Sequence, residues 1–332
     1  MNGGEVVVET LLSRDVDTVF FVPGGTNVTI LESLSRNQNK IRSIPTRLES
    51  SATFAADAYS AIRKKPAVIL CSRSPGATNA AIGVHTAQQA SRPLVLIISN
   101  IPRKQKGREA FQEINYHLMY GPIAKAVYDV NGFDEVAEVV ARALDLSVAG
   151  RPGAVVVAIS KDILDEEGEP VIPKKPAPVR MGPDADAVQE AARLIESAKR
   201  PIILAGEMIG FENANTALEK FAEATGAGVM TAYRQQDSFR ADHPANFGHL
   251  AINRLPFQEA ALKECDLLIS MGSRLDSITT ADYTMVKPHQ KLIMVYPEAS
   301  IFAHWPAEVA IGSHTIPAMK AITAALRRER RR

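Results

Sequence analysis

Three times in the first hundred residues, an apolar run empties into a turn rich in Gly, Pro or Ser that opens a helix. Residues 18–22 run into Pro23-Gly24-Gly25-Thr26, residues 66–71 into Ser72-Arg73-Ser74-Pro75-Gly76-Ala77-Thr78-Asn79, and residues 93–99 into Asn100-Ile101-Pro102-Arg103. Runs without polar alternation belong to strands covered on both faces, as in a parallel sheet. Strand, turn and helix in repeating order specify an α/β, doubly wound fold. Ligands of such sheets bind at the rim formed by the strand C-termini, so the three turns mark one candidate site.

The same reading divides the chain. Helices over 5–13, from Ala77 to Ser91 and over 134–148, with strands at 41–44 and 154–159, fill a first domain of residues 1–165. Residues 107–125 are polar, aromatic and without periodicity, and long irregular segments of this kind often carry function. Residues 166–184 hold Pro170, Pro173, Pro176, Pro178 and Pro183 among charges, and they read as a stiff, extended linker. Beyond it come helices at 185–198, 212–225, 255–264 and 316–328 and strands at 201–205, 228–231, 267–271 and 292–295. They predict a second doubly wound parallel-sheet domain over residues 185–328.

With 38 basic and 37 acidic residues the net charge is +1, so no overall field draws nucleic acid or an anionic membrane. A small-molecule partner and a cytoplasmic setting are expected. The two cysteines, Cys71 and Cys265, border apolar runs as reduced thiols do, and the seven histidines form no metal-ligand spacing. No run approaches the 18 apolar residues of a spanning helix. The glycine-rich dinucleotide fingerprint, the phosphate loop, the zinc helix and the nucleophile elbow are all absent, which removes simple dehydrogenase, ATPase, metalloprotease and hydrolase readings. The terminal arginine run, residues 327–332, reads as a frayed, solvated end.

Glu49 lies between two strand runs and opens an Ala-rich helix whose residues Phe54, Ala58 and Ile62 recur every four positions as its expected buried face. A Glu in a first helical turn ordinarily just complements the helix dipole. Its neighbours single this one out. Gly24 and Gly25 can take positive φ and admit a ligand to the backbone, while Thr26 or Asn27 can cap the next helix.

In order along the chain, Val22-Pro23-Gly24-Gly25, Arg47-Leu48-Glu49 with Ala55-Ala56-Asp57-Ala58-Tyr59, Ser74-Pro75-Gly76-Ala77-Thr78-Asn79, Pro102-Arg103, Ala110-Phe111-Gln112-Glu113, Gly150-Arg151-Pro152-Gly153 and Gly272-Ser273-Arg274-Leu275-Asp276 resemble the thiamine diphosphate enzymes of the acetolactate synthase type. The resemblance implies a pyrimidine-binding domain followed by a central Rossmann-like domain. It implies that Glu49 shares a proton with the pyrimidine ring of thiamine diphosphate, and that Gly24, Gly25, Pro75, Gly76 and Asn79 line that cofactor. Gln112 and Lys125 would face a substrate channel for a 2-oxo acid undergoing decarboxylation and carboligation. FAD is left open, through Arg274 and Asp276. The family's third domain holds the diphosphate through Mg2+ by a Gly-Asp-Gly motif, and that string occurs nowhere in this sequence. The resemblance therefore implies a lyase or synthase whose site is completed by a separate chain in a homo- or hetero-oligomer, with no metal ligand among these residues. The alternative is a non-catalytic nucleotide-binding or regulatory subunit that keeps the fold. Departures from the family pattern cluster at the rim: Arg47 for a usual His, Ser99-Asn100 for Gly-Gln, Ser74 for Gly and Ala90 for Asp.

Overall fold

The structure is a computed structural model that describes residues 1–326 in full and the backbone of 327–329. Of the arginine run 327–332 expected as a frayed end, the backbone of 327–329 continues the last helix, and 330–332 lie outside the described residues. The chain forms two compact units, Met1–Ala177 and Pro178–Arg332, each built on a six-stranded, all-parallel sheet.

In the first unit the order is α1 (Gly3–Ser13), β1 (Thr18–Phe21), α2 (Val28–Arg36), β2 (Arg42–Pro45), α3 (Glu49–Arg63), β3 (Ala67–Cys71), α4 (Ser74–Gln89), β4 (Leu94–Asn100), α5 (Tyr116–Tyr120), β5 (Ala126–Val130), α6 (Val136–Val148), β6 (Ala154–Ser160) and α7 (Lys161–Asp165). The strands lie in the order β2-β1-β3-β4-β6-β5. Alternate residues of the central strands feed two core layers. Val68, Leu70, Val95 and Ile97 face α1, α2 and α6, whereas Ile69, Cys71, Leu96 and Ile98 face α3, α4 and α5. Burial on both faces explains the unbroken apolar runs. Strand order reverses between β1 and β3, which puts the crevice favoured for ligands at the turns after those two strands.

In the second unit α8 (Ala185–Ser197), β7 (Pro201–Ala205), α9 (Glu207–Phe211), α10 (Asn215–Thr225), β8 (Gly228–Thr231), β9 (Asn246–His249), α11 (Pro256–Glu264), β10 (Leu267–Met271), β11 (Lys291–Tyr296), β12 (Val309–Gly312) and α12 (Thr315–Glu329) build a sheet ordered β12-β11-β10-β7-β8-β9. Among the described residues no helix is long and apolar enough to cross a membrane.

Several expectations are corrected. Phe54, Ala58 and Ile62 do not form the buried face of α3; Phe54 is 43% and Ile62 79% exposed, and Ala58 is exposed too. The inner face is made of Ala52, Thr53, Ala56 and Ser60, because small side chains let α3 lie close against α4. Helix α4 starts at Ser74, not Ala77, with Pro75 in its first turn, where a missing N–H costs nothing. The segment expected as one helix over 212–225 begins only at Asn215, after the short α9. Strands β5, β9 and β12 lie at or next to sheet edges and were not expected.

Candidate active site

Three parts of the first unit meet at the switch point. Helix α3 delivers Glu49 at its first residue, where the N-terminal dipole favours a carboxylate. The chain after β3 turns into α4 and delivers Gly76 and Asn79. The turn after β1 delivers Gly24.

Glu49 is buried, at 8% exposure. The amide nitrogen of Asn79 donates to its Oε2 at 3.1 Å. The other oxygen, Oε1, lies directly over Gly76; a Cβ there would stand 2.7 Å from it and 3.5 Å from the Cβ of Cys71. Gly76 therefore forms a cradle that any side chain would fill. One carboxylate oxygen is thus held and the other is left for a partner. The Cys71 thiol beneath is pushed well above its ordinary range by complete burial and by the Glu49 charge.

The glycine turn works differently from the expectation. Neither Gly24 nor Gly25 has positive φ. Gly24 is needed for close approach, because a Cβ would meet the Ser72 Cβ at 2.7 Å, while Gly25 has open space around its Cα. Asn27 does not cap α2. Its Oδ1 turns back to accept from the Gly24 N–H at 3.0 Å. Thr26 Oγ1 donates to the Ser99 carbonyl at 3.0 Å, so its 2.8 Å contact with Ser72 Oγ is donated by the serine. This hydroxyl chain ties the ends of β1, β3 and β4 together, and periodicity gave no sign of it.

Glu49, Gly76 and Asn79 are brought together, with Gly24 on the adjoining turn and Pro75 exposed at the start of α4. Gln112 sits half-buried in a left-handed turn, φ 67°, with no hydrogen bond to the Glu49 cluster. Lys125 is a correction. Its ammonium donates to the carbonyls of Leu146 (2.9 Å), Arg151 (2.7 Å) and Ala149, capping the end of α6. It precedes β5 and so lies at the N-terminal edge of the sheet, opposite the rim that carries Glu49.

Residues 1–119 match the family profile described as thiamine pyrophosphate enzyme, N-terminal TPP binding domain, and residues 188–322 match that of the same enzymes' central domain. The chain belongs to the thiamine pyrophosphate enzymes. It is 30% identical over 304 residues to the probable acetolactate synthase large subunit of Methanocaldococcus jannaschii, covering 89% of this chain and 51% of that protein. Similarity to the acetolactate synthase large subunit of Parasynechococcus marenigrum is 31% over 321 residues, or 94% of this chain and 52% of the relative. An acetolactate synthase of Mycobacterium bovis is 31% identical over 299 residues, 88% and 48% of the two chains. The chain spans about half the length of the curated relatives it matches.

Thiamine pyrophosphate, or thiamine diphosphate, fits the Glu49 site on two observations, the free carboxylate oxygen and the cradle over Gly76. FAD fits the second unit poorly. Glu207 heads α9 at the rim where β7 and β10 adjoin, the switch point of that sheet, and its carboxylate accepts from the Tyr296 hydroxyl at 2.9 Å and lies 3.9 Å from Arg274 Nε. A Cβ on Gly206 would stand 2.2 Å from the Ser273 Cα, so the backbones flanking that crevice are already in contact. Arg274 is thus engaged by an internal acid. Asp276 accepts from the Thr279 N–H at 2.9 Å, a turn-forming role. A nucleotide diphosphate would meet a carboxylate where it needs donors.

Proposed function

We propose that this chain supplies the pyrimidine-binding half of a thiamine diphosphate site in a 2-oxo acid lyase or synthase of the acetolactate synthase kind. The carrying observation is Glu49, buried, with one oxygen anchored by Asn79 and the other presented over Gly76. In this reading Glu49 Oε1 holds and returns a proton at the pyrimidine ring nitrogen, while Asn79 keeps the carboxylate from rotating away. Gly24 and Gly76 leave room for the ring to approach backbone, and the apolar floor formed with Cys71 keeps water from the shared proton. The bound cofactor supplies the carbanion and the electron sink for decarboxylation.

The diphosphate and Mg2+ would be held outside these residues, which contain no Gly-Asp-Gly string and, among those described, no group of three metal-ligating side chains. The nucleotide-binding alternative is weakened by Glu207 at the crevice of the second unit.

The test titrates thiamine diphosphate and Mg2+ into the chain with and without a co-purifying protein that carries Gly-Asp-Gly, and assays carbon dioxide release from pyruvate. Activity is expected only in the complex and is lost in Glu49→Gln with folding retained. An inactive complex, or a fully active Glu49→Gln complex, overturns the reading.

A further inference from the structure

The N-terminal edge of the second sheet, opposite the rim that carries Glu207, holds a cavity that the thiamine reading does not use. There β8 begins at Gly228 and β9 at Asn246. The space between them and the end of α10 is about 550 Å³, within the range of small-molecule pockets. Residues 226–228, Pro244, Ala245 and Phe247 give it small or apolar walls, and only Glu223, Arg240 and His243 bring polar side chains. An apolar hollow with a few convergent polar groups is the ordinary makeup of a ligand site.

His243 is the residue that points to a ligand. Its side chain is only 9% exposed, with the Phe239 ring packed against the imidazole at 4.8 Å. The Ala245 N–H donates to Nδ1 at 3.1 Å, so Nδ1 carries a lone pair and the ring proton sits on Nε2. That N–H faces the Glu223 end of the cavity, yet Glu223 Oε1 stands 3.7 Å away, too far for a hydrogen bond. No other acceptor reaches it among the described residues. A donor so deeply placed is rarely left without a partner.

The tautomer narrows what that partner is. A metal-bound imidazole donates its second ring N–H, whereas Nδ1 here accepts, and no group of three metal-ligating side chains exists among the described residues. An anion would gain the Nε2–H but lie against the Glu223 carboxylate, and Arg240 is already paired with Asp242 at 2.8 Å. A donor with a carboxylate beside it is matched by an edge that reverses the pair, an acceptor next to an N–H donor. Primary carboxamides and amino-substituted nitrogen heterocycles carry that edge. Gly226 leaves room for a flat ring, since nothing lies within 4 Å of a Cβ built on it.

We propose that this cavity binds a small planar heterocycle or aromatic amide, its ring nitrogen or carbonyl accepting from His243 Nε2 and its amino group donating to Glu223. The full chain is titrated with nicotinamide and with adenine, followed by calorimetry and ligand-observed NMR. Benzoate is the control that keeps a ring and acceptors but has no N–H donor. At least one of the two probes is expected to bind with a dissociation constant below about 10 mM, and benzoate more weakly or not at all. Glu223→Ala removes an exposed side chain and leaves the fold intact. His243→Asn keeps an acceptor for the Ala245 N–H but has no Nε2. Each is expected to weaken binding about tenfold. Glu219→Ala, one turn earlier on α10 and outside the lining, is expected to bind as the parent does. No binding of either probe up to ~10 mM, binding unmoved by both cavity substitutions, or benzoate bound as tightly as the probes overturns the site.

Discussion

Gly83→Ala tests the packing on which the Glu49 site depends. Helices α3 and α4 carry Glu49 and Asn79, and they cross where Gly83 meets Thr53. A Cβ on Gly83 would lie 2.0 Å from Thr53 Oγ1, 2.2 Å from its Cβ and 3.3 Å from its backbone carbon. Thr53 is fully buried and its hydroxyl donates to the Ser50 carbonyl at 2.9 Å, so it has no room to turn aside. The helices must separate by more than an ångström instead. Overpacking of this kind costs up to about 3 kcal/mol, against a gain of about 1 kcal/mol from replacing a mid-helix Gly. The net loss of ~2 kcal/mol corresponds to roughly 30-fold faster exchange of amides that open with these helices. Hydrogen-exchange mass spectrometry of peptides covering 49–63 and 74–89 measures it, with β10 and β11 as an internal reference in the second unit. Gly25→Ala, where nothing lies within 4 Å, is expected to change nothing. Exchange within about twofold of the parent in Gly83→Ala would refute the crossing argument.

Two further substitutions probe charge. Lys125→Met removes the ammonium from three carbonyls at the end of α6. It is expected to cost about 1–3 kcal/mol in a urea titration while leaving thiamine diphosphate affinity in the assembled complex unchanged; a selective loss of affinity would return Lys125 to the ligand site. Glu212 accepts from both Thr315 N and Oγ1 at 2.8 Å, yet burial raises its pKa above the ordinary 4.5. The folded state then binds this proton more tightly than the unfolded state does. Its contribution is complete below the ordinary value and is lost as pH rises through the raised one. Thermal melts followed by the single tryptophan, Trp305, should show Glu212→Gln gaining on the parent as pH rises above the ordinary carboxylate value of 4.5. A difference that stays flat with pH contradicts the assignment.

The sequence made the sheets legible where strands are buried on both faces. The runs that became β3 and β4 could be little else. Strands such as β5 and β9 lie half-buried at sheet edges, so neither an unbroken apolar run nor a clean alternation marked them. Glu49, Gly76 and Asn79 were singled out by the resemblance, and the structure brings them together where α3 and α4 begin. Lys125 was carried to the substrate channel by the resemblance alone, whereas its ammonium is occupied by the carbonyls at the end of α6. The reversed face of α3 has a more instructive cause. Periodicity ranks residues by hydrophobicity, so Phe54 and Ile62 outweighed Ala52, Thr53 and Ala56. Close helix crossing is selected by small size, which that ranking does not register. Helix α3 therefore turns its small side to its own domain and leaves Phe54 and Ile62 exposed, as α4 leaves Ile82. Apolar residues left outward on the helices that carry Glu49 and Asn79 are suited to burial against another protein surface.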